Sequence, residues 1–373
     1  MSARKELPLE ALRGFAAIAV VLGHIVIAFT PYLLPIRRTP FNFAINGSAA
    51  VVLFFVLSGY VLTRRYFQSH DDMSIARGML KRWPRLMGPV LLAVLCSWAL
   101  FTLDAYFHEG AGLLSGSGWL QSFGGAPGYP FDHRLRRALG QGAVLVFVRE
   151  SASGFDPVLW TMKFEFIGSF ISFGFAFLLD KLRGAGWLAS ALACATVLGT
   201  CYYSNGFLFA FPAGVILARC LPRDFNMRAW IAIPVAILAC YLLGYAELTE
   251  GAYAPFKLHR VGFVNVSIVG SLLAIAVVTG WSALRRLLSG PAMSYTGELS
   301  FPLYLVHIPV ICSVGSEIFL LTRSLAATAA TVLAGSFAAA IPFMWFNRYW
   351  VARVNRAADW LMVKGPASSS PLH

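Results

Sequence analysis

One pattern repeats from end to end of this chain: apolar runs of about 20 residues, each long enough to cross about 30 Å of hydrocarbon as a helix. They fall near 11–33, 46–66, 86–106, 157–179, 186–203, 205–220, 229–246, 262–282, 300–321 and 325–347. Hydrocarbon offers no hydrogen-bond partners, so each run must satisfy its own backbone as a helix. The expected fold is therefore all-α, a polytopic membrane bundle of about ten transmembrane helices. If 186–203 and 205–220 are separate spans, Tyr202 to Asn205 must hold a very tight turn. Composition agrees: 58% of residues are hydrophobic, 13% are charged, and mean hydropathy is +0.68. Soluble domains do not reach such values. One integral membrane domain is expected over residues 1–350, with a cytoplasmic, partly disordered tail over 351–373. The first apolar run is too long for a cleavable signal peptide and lacks a small-residue cleavage site.

The net charge of +13 does not point to nucleic acid. With the N-terminus inside, the inner segments hold roughly twice as many Lys and Arg as the outer loops, which puts both termini in the cytoplasm. The basic charge reports topology and contact with the lipid bilayer. Cys96, Cys194, Cys201, Cys220, Cys240 and Cys312 lie in or beside apolar spans without a CxxC pair. They read as small buried hydrophobes, with neither a disulfide framework nor a metal site indicated.

Polar clusters interrupt the apolar runs, and ionisable groups at such depth usually face a cavity and serve function. Arg13 and His24 share a face of the first span, about 16 Å apart along its axis. Ser58-Gly59 interrupts the second span and suits close helix approach. Lys81-Arg82-Trp83-Pro84-Arg85 stands at the inner mouth of the third; topogenic charge alone explains it, and equally it suits a phosphate-rich ligand, since guanidinium forks match phosphate oxygens. Trp160-Thr161-Met162-Lys163-Phe164-Glu165 follows Asp156-Pro157, a helix start with a capping carboxylate and proline at the first position. Lys163 and Glu165 point about 200° apart on a helix, so no ion pair between them is assumed. Ser300, Tyr304 and His307 share one face of the run Gly297 to His307.

Counting depth at about 1.5 Å per residue puts His24 roughly 14 Å and Glu165 roughly 12 Å below the outer surface, where the two can meet. Arg13, Arg82, Arg85, Tyr304 and His307 fall in the cytoplasmic half. The expected arrangement is a basic inner vestibule leading to a deeper His24/Glu165 pair. The outer segment 107–156 is glycine-rich and carries Trp119, Phe123, Tyr129 and Phe131. That mixture suits a sugar-binding lid, or equally an interfacial aromatic anchor. Within it, 138–147 is apolar but too short to span, as expected of a re-entrant or interfacial segment.

Taken in order, these blocks resemble acyltransferase family 3, the integral membrane acyltransferases, along nearly the whole chain. They are the Arg13-x10-His24 pair, Phe54 to Tyr60, the Lys81 to Arg85 cluster, the Trp160 to Glu165 run and the Gly297 to His307 run. The resemblance implies O-acylation of extracytoplasmic glycans or small molecules, usually from acetyl-CoA, in the inner membrane of a bacterial host. It implies that Arg13 and His24 are the essential pair, and that Ser58, Gly59, Arg82, Arg85, Glu165, Tyr304 and His307 match other recurrent positions.

Acyl transfer from a thioester needs a base for the acceptor hydroxyl, and histidine suits that role. His24 is expected as base or transient acyl carrier. Glu165 would orient its ring or bind the acceptor, and Arg13 would position the donor or stabilise developing charge. Arg82, Arg85, Ser58, Tyr304 and His307 are expected on the donor side, and Trp160 and Lys163 at the acceptor. No bound cofactor or metal is expected; acyl-CoA is a co-substrate, and the partner is a glycan or lipid-linked saccharide. Ser58 as a nucleophile is disfavoured, because no sharp strand-to-helix elbow presents it. The rival reading is a proton-coupled transporter of a sugar or organic anion, which buried Arg, His, Lys and Glu also suit.

Overall fold

A computed structural model describes residues 6–30, 34–149, 154–222, 224–246, 250–258 and 262–363. Among the described residues the chain is helical and contains no strand. The helices of the first half are α1 Leu7–Phe29, α2 Gly47–Arg64, α3 Tyr66–Ser69, α4 Asp72–Thr102, α5 His108–Ser115, α6 Gly118–Gln121, α7 Leu135–Gly140 and α8 Val146–Val148. Those of the second are α9 Trp160–Lys181, α10 Gly186–Ser204, α11 Gly206–Cys220, α12 Ala229–Gly244, α13 Phe263–Gly280, α14 Ser282–Leu288, α15 Pro291–Val310, α16 Ser316–Thr322 and α17 Leu325–Val363. The face carrying the start of α1 and the α3 turn is termed inner, and the face carrying α5–α8 outer.

Among the described residues, seven segments are long and apolar enough to cross a membrane: Leu7–Phe29, Gly47–Ser69, Asp72–Thr102, Pro157–Gly184, Phe263–Gly280, Pro291–Thr322 and Leu325–Met362. The shorter α11 and α12, with the less apolar α10, stand where three more spans were expected. Large apolar side chains point outward from the bundle, among them Trp187 and Leu192 on α10 and Trp230 and Ile237 on α12. An aqueous surface would not carry such a belt. Of the cysteines, Cys201 and Cys312 are buried as expected, but Cys96 and Cys220 are exposed. A small apolar side chain is not penalised where the surroundings are hydrocarbon.

Helix starts follow the sequence. Asp156 accepts a hydrogen bond from Val158 N at 3.3 Å, with Pro157 next in line. The tight turn between α10 and α11 is a single residue: Asn205 is extended and its side chain accepts from Phe207 N at 2.9 Å. The last helix departs from expectation. It runs to Val363, so residues 351–363 are helical and continuous with the last span, and 364–373 lie outside the described residues.

The outer segment is largely helical rather than a bare loop. The stretch α7–α8, joined by a π-helical turn over Gln141–Leu145, packs against α4. A Cβ on Gly142 would lie 2.9 Å from Leu91 Cα, and Trp83 Nε1 donates to Ala143 O at 3.1 Å. Leu91 precedes the end of α4 by about 16 Å of helix. The short apolar run therefore dips into the bundle and returns, a re-entrant element whose polar backbone is covered by protein.

Two helices fix the site. At the inner end of α1, a Cβ on Gly14 would lie 2.6 Å from Thr296 Oγ1, and one on Gly297 would lie 2.5 Å from Glu10 O. The backbones of α1 and α15 touch there because neither position carries a side chain. Ten residues separate Gly14 from His24, and ten separate Gly297 from His307. Two parallel helices rising equally from one contact, about 15 Å each, bring the two histidines to one level.

Candidate active site

His24 and His307 meet ring to ring, with centroids 5.1 Å apart and His24 Nδ1 3.0 Å from His307 Nε2. His307 is fully buried, and its Nδ1 lies 3.2 Å from the carbonyl of Leu303, one turn below. A carbonyl only accepts, so His307 Nδ1 carries a proton. For two neutral rings, His307 Nε2 then holds its lone pair and accepts from His24 Nδ1. That leaves the lone pair of His24 on Nε2. The backbone of α15 thereby sets which nitrogen of His24 is basic.

Trp119 stacks on His24, with ring centroids 5.2 Å apart and planes 13° from parallel. Two serines hold it there. Ser115 Oγ donates to Ala28 O at 2.8 Å, and Ser117 Oγ to Ile27 O at 2.7 Å. These are carbonyls of the last turn of α1, which have no partner within the helix. Ser117 also caps α6, accepting from Leu120 N at 3.2 Å. The remaining lid aromatics do not face the site. Phe123 and Phe131 are buried with Phe101 and Phe155 in a core beneath it. His108 lies in that core with Nδ1 3.0 Å from Leu120 O, and burial lowers its pKa below the ordinary 6.5.

A cavity of about 160 Å³ opens beside the dyad, lined by His24, Trp160, Tyr304, Asn42, Asn46 and Arg37, among others. Trp160 thus stands where an acceptor residue was expected. Tyr304 donates its hydroxyl proton to Val158 O at 2.8 Å and lies 2.9 Å from Thr161 Oγ1. Tyr304 and His307 therefore belong to the outer site, not to the cytoplasmic half. The reason is where their helix starts: α15 begins at Pro291 rather than near 300, so both residues sit far along it.

The expected pairing of His24 with Glu165 is not formed. Glu165 accepts from Ser58 Oγ at 2.7 Å and is ion-paired to Arg82. Because α1 ends at Phe29, His24 lies only about 8 Å below its outer end, shallower than the sequence count implied, while Glu165 remains about 12 Å below Pro157. Its neighbours are therefore the inner arginines. Arg82 and Glu165 are both nearly buried, at 9% and 15% side-chain exposure. Such a pair persists only with further hydrogen bonds to the carboxylate, and Ser58 supplies one. Gly59, the next residue, lets α2 touch α11: a Cβ there would lie 2.1 Å from Phe211 O.

Arg13 is ion-paired to Glu10 at 2.9 Å, one turn below it. Arg85 is exposed, and Arg82, Arg13, Glu10 and Glu165 are its charged neighbours. The structure thus gathers Arg13, Arg82 and Arg85 on the inner side, as the sequence implied. Lys163 is half-buried and joins neither centre: no hydrogen bond or ion pair to it is formed among the described residues. Sequence reasoning missed Glu10 as the partner of Arg13 and Trp119 as the stacking partner of His24. The i,i+3 spacing of Glu10 and Arg13 was a visible signal; nothing in the sequence tied Trp119 to α1.

Residues 8–346 match the acyltransferase domain family, and the chain belongs to that family. It is an O-acyltransferase, in keeping with the relatives it matches. The O-acetyltransferase PaAT-1 of Phomopsis amygdali is 23% identical, over 82% of this chain and 72% of its own length. The peptidoglycan O-acetyltransferase OatA of Listeria monocytogenes is 23% identical over 83% of this chain. The match spans only 50% of that relative's length. No solved structure matches the chain.

Proposed function

We propose that this protein moves an acyl group, most simply acetyl, from cytoplasmic acyl-CoA to a hydroxyl of a glycan or lipid-linked saccharide on the far side of a bacterial inner membrane. About ten spans with both termini in the cytoplasm make up its topology, in which the inner face is cytoplasmic. The observation that carries the reading is the His24–His307 pair beside the outer cavity, separated from an arginine cluster at the inner face.

The chemistry follows from that layout. His24 Nε2 takes the proton of the acceptor hydroxyl as the oxygen attacks the acyl carbonyl. A carbon–oxygen bond forms, the carbon–sulfur bond of the thioester breaks, and the proton on His24 passes to the departing thiolate. Arg82 and Arg85 hold the phosphates of the donor, and Arg13, about 16 Å from His24 along α1, helps to position it on the inner side. Glu165 holds Arg82 in place, and Ser58 holds Glu165. Trp160 provides a stacking surface for the acceptor, with Lys163 nearby on the same helix. In a relay version, His24 Nε2 itself carries the acyl group between donor and acceptor. Acyl label retained on wild-type protein without acceptor distinguishes the relay from direct transfer.

The test is transfer of labelled acetyl from acetyl-CoA to host glycans by membranes containing wild type or His24→Ala at equal folded amounts. Label in glycan with wild type alone is the expected result. Equal labelling by both removes His24 from the mechanism.

A further inference from the structure

Among the described residues, the cavity beside His24 has one charged lining residue other than the histidine itself: Arg37, from the 3-10 turn Leu34–Arg38. No described Asp or Glu lines it. Its neighbour in sequence, Arg38, is paired with Glu250 at 3.0 Å. Arg37 is half-buried, and among the described residues no hydrogen bond or ion pair to it is formed. The two adjacent arginines thus differ: Arg38 ties the outer loops together, and Arg37 lines the cavity without a partner among the described residues. Three of the other polar side chains there are committed, while the Ser48 hydroxyl also lines the cavity. Asn42 Nδ2 donates to Gly244 O at 2.7 Å, Asn46 Nδ2 to Leu243 O at 2.8 Å, and Tyr304 to Val158 O. What the cavity offers a ligand is an aromatic face, a basic nitrogen and a fork of N–H donors with positive charge.

We propose that the acceptor is an anionic saccharide, whose carboxylate or phosphate is held by Arg37 while its hydroxyl meets His24. A guanidinium binds either anion in the same two-pronged geometry. The cavity lacks a carboxylate to neutralise it, so a neutral sugar leaves the charge unmatched and an anionic one completes it. This rests on the acyl-transfer reading above and adds the acceptor's charge class.

The experiment supplies labelled acetyl-CoA and membranes to native-host glycans separated into retained and unretained fractions on an anion exchanger. Label is expected in the retained fraction. Carbodiimide–borohydride reduction of carboxylates, or phosphatase treatment, applied to that fraction beforehand identifies which anion matters. Arg37→Ala is expected to lower labelling of the retained fraction at least about tenfold, through a raised acceptor KM, with Arg37→Lys recovering part. Rising salt erodes the wild-type preference. Label in the unretained fraction, or a preference that survives in Arg37→Ala, overturns the proposal. No label in either fraction overturns it too. If His24-dependent turnover of acetyl-CoA is then also absent, the acyl-transfer reading fails with it.

Discussion

His24 and His307 meet in the outer half as two rings sharing a proton, whereas Arg82 and Glu165 meet further in as a charged pair steadied by Ser58. The first arrangement keeps a lone pair available and asks little of its surroundings. The second keeps opposite charges together and needs every contact, because removing one partner strands the other in a poorly hydrated site. In the proposed function the contrast separates the labour of the enzyme: proton transfer near the outer cavity, anion binding and structural charge near the inner face.

Mutations can test how complete that separation is. The largest effect is expected from His24→Ala, a loss of about 10²–10⁴-fold in turnover with thermal stability little changed. Loss of folded protein instead would make His24 structural. Glu165→Ala should do the opposite, lowering stability by about 3–5 kcal/mol because it leaves Arg82 uncompensated. Thermal unfolding in detergent reads this directly, and an unchanged midpoint would show that solvent already compensates Arg82.

His307→Ala should cost about 10²-fold in kcat by freeing the His24 ring. It should also displace the limb of the pH–rate profile that His24 governs, which a purely packing role would not do. Ser58→Ala should cost only about 1 kcal/mol of stability and leave most turnover, since its hydroxyl serves Glu165. Complete loss of turnover would restore Ser58 as a nucleophile.

The smallest expected effect concerns the lid. His108 has its folded pKa lowered by burial. Its contribution to stability is therefore present above about pH 6.5 and lost as pH falls toward the lowered value. Hydrogen exchange over residues 108–121 should rise at mildly acidic pH while the exchange of α1 and α15 does not. Equal response in all three would mean that the lid and the bundle open together.

Much of this was written in the chain. Apolar run length gave the helices, Asp156-Pro157 gave the start of α9, and the short run 138–147 was correctly read as unable to span. Arg82 and Arg85 were expected on the inner side by charge, and they gather there with Arg13. What failed was depth. Placing Glu165 opposite His24 rested on span boundaries, and α1 ends at Phe29 while α15 begins at Pro291. Those shifts, about one turn at the end of α1 and more than two at the start of α15, exchanged the partners of both His24 and Glu165. Helix ends depend on packing and on glycine contacts between distant segments, which hydropathy does not register. The partnership of His24 with His307 needed the knowledge that Gly14 and Gly297 face each other.

That paired foothold has a consequence for life in bilayers of different thickness. A spanning helix answers hydrophobic mismatch by tilting. Helices α1 and α15 are pinned at their inner ends and carry their histidines at equal height, so a tilt they share moves both rings as one body. Stretching or thinning the membrane changes how far the dyad lies from either surface but not the 3.0 Å between its nitrogens. The dyad is thereby insulated from the lipid composition around it, like a hinge pin that keeps its alignment however the door is hung.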